Sequence, residues 1–231
     1  DIDYIGNEGY PPLRIRGREL EGGQLVIPGN VSSQYVSALL MIAPILTKGL
    51  DLKLTGEIVS RPYIDLTLHI MHEFGVAAEW TNFDTISVKP QQYTRRTYTI
   101  ENDWTAASYW YEVLALQEDL DAEVVISGLK DGSRQGDAAV RYIFSLLGIK
   151  TNFARKDAEG LTDATLTRHT RMLNRMDYDF INHPDLAHSS MSSVGYSLPF
   201  HGLEQSKNQR DRPHRSNENR DGKAVLRPSK P

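Results

Sequence analysis

The residues best suited to chemistry in this chain stand where an apolar run gives way to a helical pattern. In residues 25–45, Leu25-Val26-Ile27 is broken by Pro28 and Gly29, and Asn30 and Ser32 then offer oxygens that cap a helix start. Ser32, Ser33 and Gln34 fill the first turn of that helix. Two hydroxyls, an amide and free backbone N–H groups at the positive end of the helix dipole favour a phosphate or a carboxylate. A well-capped helix start without a ligand accounts for the same residues. Ser60-Arg61-Pro62-Tyr63 opens a second helix, in which Ser60 reads as a cap and Tyr63 as a core aromatic. In the turn Asn182-His183-Pro184-Asp185, Asp185 reads as a helix cap. His69 and His72 stand three apart on a helix with no further ligand at motif spacing, so they are expected to face solvent. With no cysteine, disulfides, a thiolate nucleophile and Cys-ligated zinc are excluded.

The elements that position these residues follow from punctuation and period. Residues 25–27 predict a strand, and Val36, Leu39, Leu40 and Ala43 predict the buried face of a helix beginning near Ser32. Residues 50–54 alternate as a strand that turns at Thr55-Gly56-Glu57. The second helix carries an apolar stripe of Tyr63, Ile64, Leu66, Thr67, Ile70, Met71 and Phe74 and stops at Gly75, and residues 76–80 and 86–88 form a hairpin. Upstream, Tyr10-Pro11-Pro12-Leu13-Arg14-Ile15-Arg16 is extended, because two prolines forbid helix. The plan then repeats. Ile27 and Ile100, Asn30 and Asp103, Ser60 and Ser133, Arg61 and Arg134, and Gly75 and Gly148 share one sequence offset. Each unit reads strand, helix, strand, helix, strand, strand, the second running from Thr97 to about Leu166 and a third beginning at residues 178–181. The fold class is therefore α/β, built of repeated βαβαββ units, with binding groups expected at the strand-to-helix turns.

Composition narrows the partners. A net charge of −4 over 231 residues gives no basis for nucleic acid as the main partner, and 39% hydrophobic residues suffice for a core. No apolar run is long enough to span a membrane and the first residues lack signal-peptide character, so no membrane partner and a cytoplasmic location are expected.

Several strings together resemble the EPSP synthase (3-phosphoshikimate 1-carboxyvinyltransferase) family of enolpyruvyl transferases. They are Tyr10-Pro11-Pro12-Leu13-Arg14, Val31-Ser32-Ser33-Gln34-Tyr35, Leu39-Leu40-Met41, Val59-Ser60-Arg61-Pro62-Tyr63-Ile64-Asp65, Phe74-Gly75-Val76, Gln135-Gly136-Asp137 and Asn182-His183-Pro184-Asp185, in family order over residues 4–187. The resemblance implies transfer of the enolpyruvyl group of phosphoenolpyruvate to the 5-hydroxyl of shikimate 3-phosphate, with release of phosphate and with neither metal nor organic cofactor. It implies a two-domain fold, each domain holding three such units, incomplete here: 1–100 the remainder of the first domain, 101–187 part of the second, and a monomeric parent. By motif, Ser32, Ser33 and Gln34 hold shikimate 3-phosphate, Ser60 binds its phosphate, Tyr63 lines its ring, and Asp185 takes the proton of the attacking hydroxyl. Trp104, beside the domain crossing near residues 99–103, is bulkier than that place predicts. A UDP-sugar enolpyruvyl transferase and a non-catalytic α/β binding module are the alternative readings.

Two departures from the family pattern shape the expectations. The family's upstream Lys-Ser and Arg segment, its Asn-Ala-Gly-Thr loop and its phosphoenolpyruvate-binding Arg have no counterpart, so the chain alone is expected not to turn over. After Ala187 the pattern is lost, and 188–231 is expected to be an aberrant, disordered tail. Codons for residues 206–216 read in the neighbouring frame can give S-L-R-I-K-E-T-D-R-I-E-A, which contains the family's K-E-T-D-R string. A frameshift near His188 is the expectation, and the coding DNA tests it.

Overall fold

Prolines, glycines and hydroxyl side chains set the ends of the elements in the computed structural model, which describes residues 2–155, 158, 160–169, 177–190 and 223–225. The chain divides into two units, one of Asp1–Ile58 with Thr67–Arg96 and one of Val59–Leu66 with Thr97–Pro231.

In the first unit, β1 (Ile2–Tyr4) and β2 (Leu13–Ile15) pair as an antiparallel ribbon. A four-stranded sheet is formed by β3 (Gly23–Pro28), β4 (Leu50–Thr55), β5 (Ala78–Trp80) and β6 (Thr85–Val88), in the order β3-β4-β6-β5. Strand β3 runs parallel to β4, and the remaining pairs are antiparallel. Between strands lie α1 (Ser33–Ile42), continued by a 3-10 turn at Ala43–Ile45, and α2 (Arg61–Glu73), whose residues as far as Leu66 belong to the second unit. Strand β4 buries Leu50, Leu52 and Leu54 and turns Lys53 out, the alternation of a half-buried strand. With Val36, Leu40, Ala43, Leu46, Leu68, Met71, Val76, Ile86 and Val88 these leucines are the buried apolar set of this unit among the described residues. The stripe on α2 is narrower than the pattern predicts. Ile64, Leu68 and Met71 are buried, whereas Tyr63, Leu66, Thr67, Ile70 and Phe74 are only half-buried, because residues at i, i+4 and i+7 share one line.

The second unit holds α3 (Trp104–Ala115), β7 (Glu123–Lys130), a 3-10 turn (Gly136–Ala139), α4 (Val140–Leu146), β8 (Ile149–Arg155) and β9 (Leu161–Arg168). The three strands order β7-β9-β8, all antiparallel, as β4-β6-β5 do in the first unit. Farther along, β10 (Asp177–Asp179) pairs with β11 (Lys223–Val225), and residues 186–190 are helical. The core gathers Trp104, Tyr111, Leu129, Ile143, Phe144 and Leu186, among others. Trp104 fills this core without exposure, edge-on to Phe153 at 6.2 Å.

The repeat survives in single hydrogen bonds. Gly29 N donates to Thr55 O at 2.7 Å, and Asn102 N donates to Gly128 O at 2.8 Å, the same pair one repeat later. Gly49 N to Leu46 O recurs as Ala122 N to Asp119 O. Gly75 and Gly148 end α2 and α4 at φ +83° and +87°, a left-handed stop that side chains resist. One expectation fails. No strand forms around Ile100, which is 81% exposed, and of the parallel pairing seen between β3 and β4 only the Asn102 bond remains. Side chains have replaced the ladder, since Asn102 Nδ2 donates to Ser127 O at 2.8 Å and Glu101 accepts from Ser133 Oγ at 2.7 Å.

Of the expected tail, residues 188–190 are helical and residues 223–225 pair with β10, while 191–222 and 226–231 lie outside the described residues. Among the described residues no helix is long and apolar enough to cross a membrane.

Candidate functional site

The first unit contributes the start of α1. Ser32 caps the helix, its Oγ accepting from Gln34 N at 3.3 Å. Ser32 and Gln34 are exposed and Ser33 is half-buried, so the first turn offers its hydroxyls to solvent. The helix below is anchored by buried Val36 and Leu40, with Leu39 half-buried.

The second unit brings Ser60, Tyr63 and Asp185 together. Ser60 N donates to Ile181 O at 3.0 Å, which ties the entry to α2 to the segment that carries Asp185. Ser60 is buried and sits at φ +54°, the only positive φ of a non-glycine residue among those described. A serine held there costs on the order of 1 kcal/mol, which persists only where the surroundings enforce it. Its carbonyl accepts from Tyr63 N at 3.1 Å, starting α2 so that the Tyr63 ring leaves the helix away from the core line of Ile64, Leu68 and Met71.

Tyr63 faces an acidic corner. Its hydroxyl pKa is pushed far above the phenol range, first by burial, then by hydrogen bonding to Asp137 and by its charge, and then by the charge of Asp185, with Thr105 opposing. Asp137 is 1% exposed, on the 3-10 turn Gly136–Ala139, and its Oδ2 accepts a short hydrogen bond from Thr105 Oγ1 in α3. Gly136 makes the approach possible, for a Cβ there would lie 2.9 Å from Pro62 Cβ, 3.5 Å from His183 Nδ1 and 3.6 Å from Tyr63 Cε2. The His183 pKa is lowered by burial, against the raising effects of Asp137 and of the Gly136 backbone. Tyr178, whose ring centroid is 6.2 Å from that of His183, is raised by burial and then by Asp137 and Asp179. Asp185 is exposed, next to the helical residues 186–190.

The chemistry open to this corner is proton acceptance by an exposed carboxylate beside a phenol that stays neutral. The charges acting on Tyr63, Tyr178 and His183 are those of Asp137, Asp179 and Asp185, all negative. An anionic ligand here would need cations to offset a repulsion of about 4 kcal/mol per charge pair at 4 Å. Sequence reasoning gave no role to Asp137, Thr105 or His183. The only signal was the Gln135-Gly136-Asp137 string, in which a glycine admits close packing and an acid follows it.

Known proteins match this chain over most of its length. A family model described as EPSP synthase (3-phosphoshikimate 1-carboxyvinyltransferase) matches residues 1–187. A 3-phosphoshikimate 1-carboxyvinyltransferase of Bacteroides fragilis is 47% identical over 200 residues, covering 86% of this chain and 47% of the relative. One from Sulfurovum sp. is 36% identical over 188 residues, covering 80% of this chain and 42% of its own length. The chain thus spans about half the length of the curated relatives it matches. Among solved structures, EPSP synthase from Acinetobacter baumannii shares the fold, with a TM-score of 0.54 at 18% identity over 84% of this chain and 41% of that one.

Proposed function

The chain belongs to the EPSP synthase family, a family of enzymes, and on that footing we propose that it serves transfer of the enolpyruvyl group of phosphoenolpyruvate to the 5-hydroxyl of shikimate 3-phosphate. The reaction joins the alcohol oxygen to the enol carbon of phosphoenolpyruvate and breaks the bond from that carbon to the phosphate oxygen. The alcohol proton must be taken up as this happens. Asp185, exposed and with its charge acting on Tyr63, is the base in this reading. In this reading Tyr63 lines the ring and Ser60 reaches the 3-phosphate, and Ser32, Ser33 and Gln34 offer O–H and N–H donors to anionic oxygens. The expected setting is the cytoplasm, as a monomer.

The observation that carries the reading is the meeting of three separate strings, Ser60 to Tyr63, Gln135 to Asp137 and Asn182 to Asp185, in one corner of the second unit. The charges that act on Tyr63 in this corner are those of acids, so binding without turnover is expected of the 231-residue chain. Calorimetric titration with shikimate 3-phosphate should give saturable heat that weakens in Ser60→Ala, and addition of phosphoenolpyruvate should release no phosphate. A silent titration overturns the substrate assignment, and steady phosphate release overturns the need for further cations.

A further inference from the structure

Asp137 is the only acidic or basic side chain among the described residues that is fully buried. A carboxylate in that position costs several kcal/mol unless donors or cations reach it. The donor that reaches it is a hydroxyl. Thr105 Oγ1 gives its proton to Oδ2, and Oδ1 is enclosed without a protein hydrogen bond of ordinary geometry. Gly136 seats the acid's own turn against Pro62 and the Tyr63 ring, where a Cβ would lie 3.6 Å from Tyr63 Cε2, and the Tyr63 hydroxyl is enclosed from solvent as Oδ1 is.

We infer that Asp137 is a positioning residue for Tyr63, its buried carboxylate accepting the phenol proton so that the oxygen lone pairs and the ring face are what a ligand meets. A phenol has one proton to give. Once that proton is committed to Asp137, Tyr63 accepts from an alcohol but has nothing to offer a phosphate or carboxylate oxygen, and the charge behind it repels both. The hydroxyl-bearing, uncharged edge of a ring is therefore the part that fits at Tyr63, and the anionic groups of the same ligand must lie elsewhere. This selects a polyhydroxylated ring by orientation. Its ligand consequence rests on the proposed function above, whereas the proton arrangement does not.

The 231-residue chain labelled with carbon-13 at tyrosine Cζ tests both parts. The Tyr63 signal is identified by its loss in Tyr63→Phe. Cζ moves downfield as the hydroxyl donates to a stronger acceptor, so Asp137→Asn should move it upfield, and Thr105→Val, which leaves the carboxylate one donor fewer, should move it downfield. If Asp137→Asn does not fold, Thr105→Val alone decides, since it keeps the buried acid. An unmoved signal overturns the inference. In the ligand arm, affinity for shikimate 3-phosphate should fall roughly fivefold in Asp137→Asn, the loss expected for the neutral hydrogen bond that an oriented Tyr63 oxygen accepts from a ligand hydroxyl. A shifted signal with unchanged affinity overturns the positioning role. If the wild-type chain does not bind this ligand, the functional reading fails and the Cζ shifts still decide whether Asp137 orients Tyr63.

Discussion

Replacing Gly136 by alanine tests the closest packing in the acidic corner. The new methyl would stand 2.9 Å from Pro62 Cβ, where carbon atoms at rest keep about 3.5–4.0 Å. Pro62 cannot swing away, because its ring fixes φ and the residue lies in the first turn of α2. The backbone of residues 135–137 or of the helix start must therefore shift by roughly half an ångström or more, and such overpacking costs about 1–3 kcal/mol. Against this, alanine restricts the unfolded chain and returns about 0.4–1 kcal/mol. The net expectation is a loss centred on about 1.3 kcal/mol, within a span of about 0–2.6 kcal/mol. Urea unfolding followed by tryptophan fluorescence in a Trp80→Phe background reads it, since Trp104 and Trp110 both belong to the second unit. If Gly136→Ala unfolds at the same urea concentration as its Trp80→Phe parent, the packing of the 3-10 turn against Pro62 is not what the distances imply.

Two other perturbations probe the neighbouring groups. Burial lowers the His183 pKa, so below the unfolded value of about 6.5 the unfolded chain takes up a proton that the folded chain resists. Stability should therefore fall as pH drops from 7 to 5, and should fall less in His183→Gln; equal stability by denaturation at the two pH values would contradict a half-buried imidazole whose pKa is lowered. Gln135 holds both sides of the α3 start, its Oε1 accepting from Trp104 N at 2.9 Å and its Nε2 donating to Asn102 O at 2.9 Å. Gln135→Leu strands the buried Trp104 N–H and should cost about 1–3 kcal/mol in the same unfolding assay, and a cost under 0.5 kcal/mol would deny the clamp.

What the sequence made legible was local. The start of α1 at Ser32, the place of Pro62 in α2, the left-handed stops at Gly75 and Gly148 and the alternation of β4 each depend on residues within a few positions of one another. The repeat was legible too, because it is carried by matched turns whose hydrogen bonds recur. Failures came where distant residues decide. Around Ile100 the chain is apolar enough for a strand, yet Glu101 and Asn102 spend their side chains on Ser133 and Ser127 and the ladder is not needed. Trp104 looked too large beside the Asp103 cap because the cavity that receives it is made by other segments of the second unit, among them the one carrying Phe153. Asp137 had no local signature at all. Its meaning lies in Thr105, 32 residues earlier, and in Tyr63 and His183, which only the packing of Gly136 brings close.

The two related corners explain how a lone buried acid is tolerated. At the start of α1 the exposed Ser32 takes one backbone N–H and leaves the positive end of the helix facing solvent. At the start of α3 the donors are already used: Trp104 N goes to Gln135, Thr105 N goes to Asp103 Oδ1 at 2.9 Å, and the Thr105 hydroxyl goes to Asp137. Thr105 lies in the first turn, so the hydroxyl it shares with Asp137 brings that carboxylate to the end of the helix where negative charge is favoured, by about 0.3–2 kcal/mol. The α3 dipole thus stabilises an acid of the protein where the α1 dipole remains available to an anion from outside. One repeated turn leaves its helix start open to solvent, and the other holds a buried carboxylate of the protein's own.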